Sequence, residues 1–298
     1  MMRRIAGSVA AVVAFTTLVV PLGAGTASAV AAQACGKTLS DSQMHTIIDR
    51  SDTTEQEGST PLARLDGAIA DLEVITNVLV EQGDRRGLFA LGLFSVERDA
   101  VTPLQHNKDS FEHPRWAPVI SLALLNRFLD AVHAEFTGTV VPAQWRHYFD
   151  LTRQCGESPP RTAMAGYNAH LTVDLAYAVA DAQTTVAQAR DFFTIVDTIA
   201  IHAESIVTET RAAYGPAADL GPLFRFYFVG EGLDRLAGAG VASELLLRAA
   251  DVGYNVLTFG NGLALQNPGA VEATEADIWA LWQTADVAVA ALAELELL

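Results

Sequence analysis

His170 and Asp174 stand four residues apart in the stretch AGYNAHLTVDLAYAVAD. On a helix that spacing puts an imidazole and a carboxylate on one face. Two kinds of chemistry follow. The pair could hold a divalent metal such as zinc through imidazole nitrogen and carboxylate oxygen. Alternatively, the carboxylate could orient the histidine as a general base. A third outcome is a plain hydrogen bond or salt link. Tyr177 and Asp181 continue the line, and at about 100° per residue the four fall within a strip about 60° wide. Tyr167 and Asn168 lie beside it, while most of the remaining stretch is Ala, Leu and Val. Elsewhere in the chain the wet helix faces use long or charged groups such as Arg64, Asp71 and Glu81. Small directional polar groups suit a pocket, where each buried one needs a partner.

Two further polar sets join the candidates. Asn126, Asp130 and His133 share a face of LALLNRFLDAVHAEF. Asp130 and His133 read as solvated, Asn126 and Arg127 as interior. Arg248, Asp251 and Asn255 lie on RAADVGYNVLTFG. Arg248 could pair with Asp174 or Asp181 across a bundle, or bind an acidic ligand. The expected catalytic set is His170, Asp174, Asn168 and Arg248, and the expected metal set is His170, Asp174 and Asp181, with Asp197 or His133 in reserve. His147, in QWRHYF, reads as a packed side chain. The chain has no HExxH, GxSxG or P-loop sequence, and no GxGxxG opening a helix after a strand.

The elements that must position these groups are helical. Apolar residues recur at three and four through residues 62–81 (Leu62, Leu65, Ile69, Leu72, Ile75, Leu79), with Pro61 at the start. Further helices are expected over 88–101, ending before Pro103, then over 117–136, 142–153, from Pro160 or Thr162, through 186–214, over 241–265 and over 274–297. FRFYFV, within 223–236, could be a strand. No series of alternating strands appears, so the expected fold is all-α, an irregular multi-helix bundle in a single domain.

Residues 1–29 read as a secretory signal peptide: Arg3 and Arg4, an apolar run to Val20, then Ala27-Ser28-Ala29 as the cleavage site. The expected protein is therefore secreted and cleaved after Ala29, with residues 30–60 as an N-terminal segment and 61–298 as the helical domain. The formal charge is −16, and removal of Arg3 and Arg4 takes it to −18. Bulk attraction to nucleic acid or to an anionic membrane surface is excluded at that charge, and no stable membrane association is expected. Cys35 and Cys155 are the two cysteines. In an oxidising compartment such a pair closes a disulfide, which would tie the N-terminal segment to the loop CGESPP.

The order RLDGAIADL, GDRRGLFALGLFSVERDAV, WAPVISLALLNRFLDAV, AGYNAHLTVDLAYAVAD and DFFTIVDTI resembles an uncharacterised bacterial family, domain of unknown function 5995, over roughly 62–292. Asn168, Ala169, His170, Asp174 and Leu175 form its most specific part. Val173 stands where the family usually has a polar residue. The resemblance implies an all-helical fold and a shared polar site, and no activity. The H-x-x-x-D pair is also distantly similar to that of zinc-dependent phospholipase C. Ala180 replaces a histidine expected there, and no second H-x-x-x-E/D pair follows, so at most a single ion is implied. Two functions follow as expectations. The first is a secreted, metal-assisted hydrolase. The second is a non-catalytic helical bundle, structural or carrying a small-molecule ligand between its helices.

Overall fold

The computed structural model describes residues 33–221 and 244–294, leaving aside the side chains of 244–252, 292 and 294. The expected signal peptide and the segment FRFYFV, which could be a strand, lie outside the described residues. Every regular element among the described residues is a helix, as the apolar spacing predicts.

Helix α1 (Asp41–Ser51) opens on a capping box, Ser40 with Gln43. Helix α2 (Pro61–Glu81) starts with Thr60 as N-cap and Pro61 in its first turn, and buries Leu65, Ile69, Leu72, Ile75 and Leu79. Helix α3 (Gly87–Val96) is buried along its whole length. A helix that is apolar all round belongs inside a bundle, and α3 packs against α2, α7 and α10. It does not stop before Pro103. The π turn Glu97–Val101 follows, with the Thr102 amide donating to the Glu97 carbonyl five residues back, and α4 (Thr102–His106) continues from it. Proline lacks the amide and crowds the carbonyl four residues earlier. The wider turn absorbs that defect where a regular α-helix would end.

Helix α5 (Ala117–Thr137) closes on Gly138 at φ 71°, and α6 (Ala143–Thr152) follows. Helix α7 (Pro159–Asn168) is capped by the Ser158 side chain. It runs through a second π turn (Ala169–Asp174) into α8 (Leu175–Asp181). The expected single run over 186–214 is two helices, α9 (Ala189–Ile201) and α10 (Ala203–Tyr214). They are broken at His202, whose Nδ1 pairs with the Thr198 carbonyl at 2.8 Å. The break lets α10 lie on α3 while α9 meets the first π turn.

Helix α11 (Glu244–Leu265) keeps its glycines within one helix. Gly262 is required there: a Cβ would fall 2.4 Å from Val179 and 2.6 Å from the Ala176 carbonyl of α8. Helix α12 (Val271–Glu294) begins before the expected Thr274 cap. Thr274 instead returns its hydroxyl to the Ala270 carbonyl.

Cys35 and Cys155 form a disulfide with Cα atoms 5.5 Å apart. Backbone bonds seat it: Cys35 N–H to the Thr152 carbonyl and Arg85 N–H to the Cys35 carbonyl, both 2.9 Å. The N-terminal segment is thereby fastened to the α2–α3 turn and to the end of α6. Among the described residues no helix is long and apolar enough to cross a membrane.

Candidate functional site

His170 and Asp174 lie in the π turn between α7 and α8, both buried, at 4% and 1% exposure. The Leu175 amide donates to the His170 carbonyl, five residues back. The widened turn changes the relation between positions four apart. His170 Nδ1 sits 3.9 Å from Asp174 Oδ2, beyond hydrogen-bond range. Asp174 instead accepts from α6, with Gln144 Nε2 at 3.0 Å from Oδ1 and the Trp145 indole N–H at 2.7 Å from Oδ2. His170 Nδ1 is buried without a hydrogen-bond partner. The imidazole packs against Phe89 and Trp145, with ring centroids at 5.2 and 6.4 Å.

Burial governs both titrations. It pushes the His170 imidazole down to about 3. It raises the Asp174 carboxyl to about 7, opposed by the hydrogen bonds from Gln144 and Trp145. At neutral pH the imidazole is uncharged and the carboxyl is poised between its two forms. Groups tuned in this way can exchange protons with a substrate, provided a substrate reaches them. Their neighbours Asn168, Thr172 and Val173 are buried as well.

The structure separates the rest of the expected strip. Asp181 is seven residues past Asp174, about 10 Å along a helix. It is exposed and paired with Arg127 at 2.5 Å. The Arg127 guanidinium lies 4.9 Å from the Tyr177 ring centre, and the Tyr177 hydroxyl donates to Glu275 at 2.9 Å. Asn168 is spent on ties: its amide donates to the Trp282 carbonyl at 2.9 Å, and its oxygen accepts from Thr172 at 2.7 Å. The Arg248 and Asp251 side chains lie outside the described residues, and Asn255 is buried on α11.

In the second set, Asn126 exchanges hydrogen bonds with Gln56 at 2.7 and 3.2 Å. Asp130 is exposed and accepts from Thr53. His133 is half-buried and pairs with the Ile48 carbonyl at 3.1 Å. These groups fasten α1 and the loop after it to α5. Asp197 is exposed on α9. A zinc site takes at least three protein ligands. His170, Asp174 and Asp181 are not brought together, and the described residues contain no other group of three His, Cys, Asp or Glu side chains placed to hold an ion.

With that geometry in view, the comparisons add the family. Residues 65–239 match the family of unknown function (DUF5995). The chain belongs to that family. The DUF5995 match contains the whole His170–Asp174 site with its α6 donors, and it ends before α11 and α12. No curated protein and no solved structure matches the chain, so the likeness to zinc-dependent phospholipase C is left without support.

Sequence reasoning missed two features of this DUF5995 chain. Gln144 and Trp145 were hidden because a helix of mixed aromatic and polar residues gives no sign of which polar atom turns inward. Glu97 is the other. It is buried in the first π turn with Oε2 unpartnered, and burial raises its carboxyl to about 8. Its one signal was a carboxylate directly after the apolar run GLFALGLFSV.

Proposed function

We propose that this DUF5995 protein is an exported, non-catalytic helical protein whose polar strip ties its helices together. One observation carries the reading. Both oxygens of Asp174 are engaged by buried donors from α6, and His170 stands out of hydrogen-bond range of the carboxylate. A base–carboxylate pair works through contact between its two members. Here the carboxylate's contacts run to a neighbouring helix instead. The Asn168 link to Trp282 has the same character. The proposal of export rests on Arg3 and Arg4, the apolar run and Ala27-Ser28-Ala29, together with the cysteine pair.

The test is a dialysed preparation assayed for bound metal and for turnover on ester and phosphoester panels, beside His170→Ala. The expected results are metal well below one equivalent, no turnover, and a variant destabilised by about 2–4 kcal/mol through loss of buried packing. Stoichiometric metal that is lost in His170→Ala would overturn the reading. So would turnover that a folded Asp174→Asn variant lacks.

A further inference from the structure

Helix α12 runs antiparallel to α7 and α8 and is joined to them by three polar ties. Arg161 meets Asp286, Asn168 meets the Trp282 carbonyl, and Tyr177 meets Glu275. The Arg161 end of this seam is chemically incomplete. The Arg161 guanidinium is buried and gives Nη2 to Asp286 Oδ1 at 2.7 Å. Its Nη1 is buried with no acceptor. Trp282 stands four residues before Asp286, on the same face of α12, and its indole Nε1 is likewise buried with no acceptor.

One residue touches both donors' side chains. His147 Nε2 lies 3.3 Å from Arg161 Nη2 and 3.1 Å from Asp286 Oδ1. Its ring meets the Trp282 ring edge-on, with centroids 5.7 Å apart. The His147 side chain is also the most exposed member of the Arg161–Asp286–His147 group, at 32% against 5% for Arg161 and 18% for Asp286. An orphaned buried donor costs the desolvation of its N–H with no return. Two of them beside one partly exposed imidazole lack the same thing, an oxygen acceptor.

We propose that Arg161 and Trp282 form a binding site for a small oxyanion, a carboxylate or a phosphate group, reached when His147 swings toward solvent. Arg161 keeps Asp286 on Nη2 and offers Nη1, while Trp282 adds a directed N–H. Guanidinium with a second fixed donor is the arrangement that favours oxyanions over halides. The chain carries −16 overall, so the anion is held by short-range directed bonds rather than by bulk attraction. The site is separate from His170 and Asp174, and holds whether or not those residues catalyse.

The experiment follows indole N–H resonances of 15N-labelled full-length protein during titration with sodium phosphate, and separately with sodium acetate, against sodium chloride at equal ionic strength. Trp282 is assigned as the signal missing in Trp282→Phe, a change that keeps an aromatic ring at that position and removes the indole N–H together with part of the indole's bulk. The expected result is a saturable downfield shift of that signal with phosphate or acetate, the stronger of the two naming the ligand class, and none with chloride. In Trp282→Phe, calorimetric affinity for the same anion falls about tenfold or more in a variant that still melts as a folded protein above the temperature of the titration. A shift that fails to saturate, one reproduced by chloride, or undiminished affinity in Trp282→Phe overturns the proposal.

Discussion

His170 Nδ1 and Asp174 Oδ2 stand 3.9 Å apart inside the bundle, near enough to share an environment and too far to share a hydrogen bond. Burial therefore acts on each in its own direction. The imidazole is held at about 3 and the carboxyl at about 7.

Opposite shifts give opposite pH dependences. In the unfolded chain His170 takes a proton below its usual 6.5, and in the folded chain it refuses one until about 3. Its contribution is thus lost as pH falls from about 6.5. Asp174 keeps its proton in the folded chain up to about 7 but releases it above 3.8 when unfolded. Its contribution is thus lost as pH rises from about 4. Each slope has an upper limit of about 1.4 kcal/mol per pH unit. Between pH 4 and 6.5 they offset one another. Relative to wild type, His170→Leu should make stability fall more steeply with rising pH, and Asp174→Asn should make it rise. Urea unfolding from pH 4 to 7 measures this. Comparing each variant with wild type removes the separate contribution of Glu97. Changes of the same sign in both variants would refute the assignment.

Gly92 should not tolerate a methyl group. A Cβ there would lie 1.8 Å from the Tyr167 hydroxyl and 2.9 Å from Ile206, where α3 meets α7 and α10. Alanine is the better helix former by about 1 kcal/mol, yet the clash should make Gly92→Ala destabilising by about 1–3 kcal/mol. Adding Tyr167→Phe should recover part of that loss relative to Tyr167→Phe alone. Gly253 on α11 is exposed with open space around it, so Gly253→Ala should stabilise by up to about 1 kcal/mol. Melting temperatures decide both. Equal effects at the two positions would contradict the packing described.

The Cys35–Cys155 bond closes a separation of 120 residues. Its removal in a Cys35→Ala, Cys155→Ala double variant should cost about 2–5 kcal/mol, read as a lower urea midpoint. In wild type the same drop should appear on full reduction. A midpoint indifferent to reductant would mean that the backbone bonds at Cys35 already hold the segment.

The amino-acid order by itself determined that the chain is helical, which residues of α2 face the core, and which cysteines pair. These properties arise from local periodicity, from helix-start residues such as Pro61, and from a count of two. It also picked out His170 and Asp174 as polar groups in an apolar setting. Only the tertiary structure decided that this pair is buried while Asp181 meets Arg127 in solvent. It also decided that Gln144 and Trp145 claim the carboxylate and that π turns interrupt both helical runs. Direction along a strip depends on what packs over each turn, and those partners come from helices distant in sequence. A fixed angle per residue treats every turn as equal, and a π turn placed at the site itself breaks that assumption.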